Sequence, residues 1–215
     1  MIVDLKQFHT PTDTIWAAIK NEDSLCVALL PIAGGKIDVN FDFKDRENLN
    51  LYFNPYDDRF GSTLRDRATY RVFKNNDLLG SIISLTEKCK GFLQSYEYTI
   101  MDYKGEEYYL YEVGLWKDGL FICLYHNGQL LAIAEKELTT VNFKNKYRLY
   151  IKDEACFKPF LLMLVRYDLT KYGNSLERAV HSSKTKLVKT IQKELIAKYD
   201  PEFIKEIKQQ EGLID

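Results

Sequence analysis

Cysteine is scarce in this chain. Its four residues, Cys26, Cys89, Cys123 and Cys156, stand far apart with no CxxC pair. That spacing offers no zinc knuckle and no disulfide framework, and free thiols in a reducing cytoplasm are the expectation. Histidine is scarcer still: His9, His126 and His181 share no metal-ligand spacing, so no metal or other cofactor is expected. No charge of one sign dominates, with 30 Lys and Arg against 31 Asp and Glu. Such a balance gives no global pull toward a nucleic acid, and none is expected as a partner. Long hydrophobic runs are also missing. The most apolar stretch begins at Phe157 and ends at Arg166, well short of the roughly 20 residues that cross a bilayer. The first residues, Met-Ile-Val-Asp-Leu-Lys, carry no basic region before an apolar one, so no secretory signal is expected.

What the chain does have is aromatic side chains, 15 Tyr and 12 Phe in 215 residues. These suit half-buried positions on a pleated sheet. An apolar run over 2–8 opens the chain. Thr10-Pro11 then reads as a helix start, with Ile15, Trp16 and Ile19 along one side of a short helix. Residues 25–32 form a continuous apolar run before Gly34-Gly35. Ile37, Val39, Phe41 and Phe43 alternate with Asp38, Asn40 and Asp42, the period of a strand with one face buried. Leu49, Leu51 and Phe53 alternate in the same way. The polar stretch 56–67 reads as a long loop.

From Thr69 onward, short strands and turns follow one another at intervals of about ten residues, the rhythm of an antiparallel sandwich or barrel. Turns are expected at Asn75-Asn76-Asp77, at Asp102 to Gly105, at Lys117-Asp118-Gly119 and at Asn127-Gly128. The last pair is the strongest, because a type I′ turn needs positive φ at both central residues. There is no alternation of strands and helices, which disfavours a parallel sheet. The pattern changes at Phe157. Through Tyr172 the chain is apolar nearly all round, which marks a buried helix rather than a surface one. Asp153 or Glu154 is placed to cap it.

This order of elements resembles the tubby C-terminal-like superfamily, which includes the LURP-one-related proteins, the phospholipid scramblases and small bacterial members. The resemblance rests on Tyr70-Arg-Val-Phe-Lys, on the strand from Tyr98 to the Asp102-Tyr-Lys-Gly105 turn, on 121–136 with its Asn-Gly turn, on Tyr147-Arg-Leu-Tyr-Ile-Lys-Asp153, and on the apolar helix. It spans about residues 69–173. It implies a closed antiparallel barrel of some twelve strands around a central apolar helix, a non-enzymatic binding or scaffold role, and contact with lipid or a membrane surface. The acidic calcium-binding segment, cysteine-rich stretch and apolar tail of the scramblases have no match here. The expected division is a barrel over 1–173, with its central helix at 157–172, and an amphipathic helical extension over 174–215.

In that extension Val180, Leu187, Val188, Ile191, Leu195 and Ile196 recur at helical spacings, with Lys184, Lys186, Lys189, Lys193 and Lys198 opposite. A basic amphipathic helix can lie on an anionic membrane. Lys184, Lys186, Lys189 and Lys193 are the candidate headgroup contacts. Leu187, Ile191 and Leu195 are the candidate contacts if the extension instead docks a protein partner or a second copy. The same lysines are equally those of a helix docked on the barrel with its charges merely solvated. A third alternative is a barrel carrying a small apolar ligand, which fails if the helix fills it. Cys123 and His126 are neighbours in sequence but lack a third member, and no catalytic residue is assigned. The expected location is cytoplasmic, at most peripheral to a membrane.

Overall fold

The computed structural model describes residues 1–10, 12–31, 36–54, 69–89, 95–141, 144–172, 183–185 and 187–214. The polar stretch 56–67, Gly34-Gly35, His181, Lys186 and the first part of the expected helical extension, including Val180, lie outside the described residues.

Twelve strands close into one antiparallel barrel. In chain order they are β1 (Ile2–His9), β2 (Asp13–Lys20), β3 (Asp23–Pro31), β4 (Ile37–Phe43), β5 (Asn48–Phe53), β6 (Tyr70–Lys74), β7 (Asp77–Lys88), β8 (Ser95–Tyr103), β9 (Glu106–Gly114), β10 (Leu120–His126), β11 (Gln129–Lys136) and β13 (Lys146–Ile151). Neighbours in sequence pair in space from β1 round to β11. β13 then closes the ring, pairing β11 on one side and β1 on the other, with Ile2 opposite Tyr150 and Leu5 opposite Tyr147. Closure leaves the barrel with no open edge. β12 (Thr139–Val141) pairs instead with β14 (Ser183–Thr185) in a separate ribbon.

The short helix expected after Thr10-Pro11 is not formed. Asp13 to Lys20 is β2, paired with β1 and β3. Period 2 outweighs the helical reading here: Thr14, Trp16 and Ala18 all point inward and are buried. Thr10 does cap, but it caps a turn. Its hydroxyl accepts from Asp13 N (2.9 Å), and its own N–H donates to Asp13 O (2.9 Å).

Helix α1 (Phe157–Tyr172) fills the barrel. Asp153 accepts from Ala155 N (2.9 Å) and caps the 3-10 turn that leads into it. Phe160, Leu161, Leu162, Met163, Leu164 and Val165 are all buried, although they point in every direction around the helix. They pack against the inward residues of the wall, among them Leu5, Trp16, Phe41, Leu51, Ile82 and Met101. A closed wall explains the missing stripe: every face of the helix meets sheet.

A second apolar cluster lies outside the wall. Tyr96, Tyr111, Val113, Phe121, Cys123, Ile133 and Tyr150 face outward from β8 to β11 and β13. Leu195 of α2 (Lys193–Ile196) and Phe203, Ile204 and Ile207 of α3 (Pro201–Gln210) cover them. Asp200 accepts from Glu202 N (3.0 Å) and Pro201 takes the first turn, which fixes where α3 starts.

Candidate functional site

The amphipathic helix expected of the C-terminal extension is replaced over 187–192 by an extended strap, and only the short α2 follows it. Leu115 and Lys189 form an antiparallel bridge. Trp116 N donates to Val188 O (2.8 Å), and Thr190 N donates to Gly114 O (2.8 Å). The Thr190 hydroxyl accepts from Gly114 N (2.8 Å). Gly114 permits this approach. A Cβ there would stand 2.5 Å from Val188 O and 2.7 Å from Val188 Cβ. The residues that defeat the helix are β-branched, Thr185, Val188, Thr190 and Ile191, and stiff at χ1. Helical spacing and strand alternation coexist in this segment, and the free backbone groups of Gly114 and Trp116 select the second.

Alternation decides which residues face out. Leu187, Lys189 and Ile191 are exposed, while Val188, Thr190 and Gln192 are half-buried, and Lys193 is exposed at the start of α2. Ile191 is 62% exposed and Leu187 38%. Trp116, which sequence reasoning did not single out, is 48% exposed beside Val188, and Lys117 is exposed next to it. Three of the seven expected contact residues, Leu187, Lys189 and Ile191, therefore share the outward face of the strap, and a fourth, Lys193, follows them exposed at the start of α2. Leu195 does not: it is buried against the barrel and is no free contact. Lys184 lies on β14, opposite Thr140 on β12 and not on a helix. Lys198 turns toward the wall, with its ammonium 4.7 Å from the Tyr111 ring and 5.1 Å from the Tyr125 ring.

The interior carries a polar centre at Asp168. Asp168, fully buried on α1, accepts from Trp16 Nε1 (2.9 Å), Gln7 Nε2 (3.0 Å), Asn145 Nδ2 (2.8 Å) and the Tyr147 hydroxyl (2.5 Å). Burial pushes its carboxyl up, and the Tyr147 and Trp16 donors pull it back. This centre joins α1 to β1, β2 and β13 and is sealed from solvent, so its role is to hold the helix in register. At the other end of the helix, Lys158 donates to Asp45 and Glu47 (2.5 Å each), in the turn between β4 and β5.

Cys123 and His126 are not brought together. Cys123 is buried in the outer cluster that α2 and α3 cover, and burial pushes its thiol up. His126 stacks on Tyr108 with ring centroids 4.8 Å apart and is bonded through Nδ1 to Glu107 O (2.9 Å). Among the described residues no three His, Cys, Asp or Glu side chains are grouped as a metal site would need. No helix among them is long and apolar enough to cross a membrane.

Comparison with family models, with curated proteins and with solved structures finds no match to this chain.

Proposed function

We propose that this chain is a non-enzymatic binding domain of the tubby-like barrel kind that rests on an anionic membrane surface through its C-terminal strap. The observation that carries the reading is the strip Leu187, Lys189, Ile191 and Lys193, with Trp116 and Lys117 beside it. Alternating apolar and cationic side chains place aliphatic groups and an indole at the acyl boundary while ammonium groups meet headgroups. Each lysine near an anionic leaflet contributes about 1 kcal/mol. Asp118 and Glu194 flank the strip and offset part of that attraction, so apolar insertion has to supply the rest. The carrier alternative is disfavoured by α1, which occupies the space a ligand would need.

The test is flotation of the full chain with phosphatidylcholine vesicles and with mixed phosphatidylcholine–phosphatidylserine vesicles. The expected result is capture by the mixed vesicles only, reduced by salt and lost in Lys189→Glu/Lys193→Glu and in Ile191→Asp. Absence of capture in any condition, or capture that these variants leave intact, would overturn the reading. Concentration-dependent self-association lost in Ile191→Asp, without capture, would transfer the strip to a protein partner or a second copy.

A further inference from the structure

Among the described residues two buried side-chain atoms lack a hydrogen-bond partner, Tyr103 Oη and Arg166 Nε. The second belongs to a charge. Arg166 is 7% exposed on α1. A guanidinium carries five N–H donors, and a buried one ordinarily meets a carboxylate. Here a single neutral acceptor answers it: Nη1 donates to the Thr99 hydroxyl on β8 (3.0 Å). Its other support is the Tyr70 ring on β6, whose centroid lies 5.2 Å from Cζ. Nη2 makes no hydrogen bond either, yet it is not sealed as Nε is, so it is the nitrogen left in touch with accessible space.

Arg166 lines a small cleft between β8, β9 and the last turns of α1, of about 30 Å³, together with Glu97, Thr99, Glu112, Thr170 and Lys171. The other polar groups of the cleft are turned elsewhere. Glu112 accepts from the Tyr167 hydroxyl (2.7 Å) and pairs with Lys171 (3.3 Å). The Thr170 hydroxyl points back to Arg166 O (3.0 Å) and Tyr167 O (3.1 Å). Glu97 is exposed and forms no bond to Arg166. Burial pulls the guanidinium below its ordinary value, and Tyr70 and then Glu97 restore only part of it.

The cleft therefore holds one cation whose charge is unmatched at contact distance. Its volume is about that of one water molecule in the liquid. Size excludes a bulky or apolar ligand, and the guanidinium excludes a metal cation. A dianion would bring more charge than one free guanidinium can match. A monovalent ion, or one end of a short carboxylate, fits both the charge and the space. We infer that this cleft is a binding site for a small monovalent anion, a halide or a short carboxylate, held by Arg166 with Thr99 and Lys171 beside it. The site is separate from the strap, which is bonded to Gly114 and Trp116.

The experiment follows Tm of the full chain at constant ionic strength while sodium gluconate, too large for the cleft, is exchanged for chloride, bromide, formate or acetate. An anion that binds only the folded chain should raise Tm saturably, by about 2–4 °C. A response to the halides alone, or to the carboxylates alone, keeps the site and names its ligand. In crystals grown with bromide, anomalous scattering should place the ion beside Arg166. Arg166→Met should lose the response, and in gluconate it should be no less stable than the parent, because it removes an unpaired buried charge. Arg166→Lys keeps the charge and should keep part of the response. Glu97→Gln removes a competing negative charge and should lower the half-saturating concentration about twofold. Ile191→Asp, which disables the strap, should respond as the parent does, so the two readings fail separately. Equal Tm in gluconate and in all four anions would overturn the inference and leave the cleft to water. A response that survives Arg166→Met would overturn it as well, by placing the anion elsewhere. Lower stability in Glu97→Gln, with no anion response in either protein, would overturn it by giving the guanidinium to Glu97.

Discussion

Replacing Asp168 by alanine removes one acceptor and orphans four donors at once, on Trp16, Gln7, Asn145 and Tyr147. A buried donor left without a partner costs its full desolvation, about 1–3 kcal/mol each before relaxation. We expect Asp168→Ala to lower stability by about 3–5 kcal/mol, the cost of breaking a buried polar network from one side. Urea denaturation checks it, and a midpoint shift of less than about 1 kcal/mol would show that water enters and satisfies the donors. The residue was not singled out from the sequence, although an aspartate inside Phe-Leu-Leu-Met-Leu-Val-Arg-Tyr-Asp-Leu contradicts its surroundings and signals a partner. Its partners were not legible at all. They come from residues 7, 16, 145 and 147, and only barrel closure brings them to one point.

At the scale of elements, short strands with turn residues between them were readable and long-range docking was not. The series after Thr69 and the all-round apolar helix both follow from period and composition, and both are present. β2 and the strap went the other way. Each carries aliphatic residues at spacings that satisfy a helix and a strand together, and a neighbouring backbone decides. For β2 those neighbours are β1 and β3, and for the strap they are Gly114 and Trp116. The docking of α2 and α3 can be read through Cys123, which is wholly buried in the cluster they cover, whereas Cys89 is only half-buried. Under native conditions a thiol reagent should therefore label Cys89 first and leave Cys123 protected. Ile207→Ala removes a fully buried contact of α3, costs about 2–4 kcal/mol of docking, and should raise the labelling rate of Cys123 by tenfold or more. Unchanged protection of Cys123 in that variant, read by mass spectrometry, would mean that α3 does not hold the cover down.

For the whole molecule, the question is how helix and wall stay together at the end away from Asp168. Lys158 ties the first turn of α1 to Asp45 and Glu47, and Glu47 also meets Lys74 (2.9 Å) at the end of β6 and Lys104 (3.7 Å) in the turn after β8. The hydrogen bond from Lys158, followed by that from Lys74, holds the Glu47 carboxyl below its ordinary value despite partial burial. A carboxyl whose value is lower in the folded state stabilises the fold above its unfolded value, and that contribution is lost as pH falls through the folded one. Thermal stability should thus decline as pH drops below the usual carboxylate range, about 4.3 for glutamate. Lys158→Met should remove about 1.5–3 kcal/mol at neutral pH and flatten that decline. A parallel pH profile in the variant would dismiss the latch. One feature of the topology reaches beyond the finished protein. A ribosome delivers β1 first, yet its partner β13 begins some 140 residues later, and the helix that fills the barrel follows β13. Until then the nascent chain holds eleven wall strands whose inner faces have nothing to pack on and whose first strand has an open edge. Growing chains of this kind are vulnerable to aggregation. Translation that stalls before residue 157 leaves a wall without its filling, and a cell making this protein needs either rapid elongation through that stretch or a chaperone that waits for it.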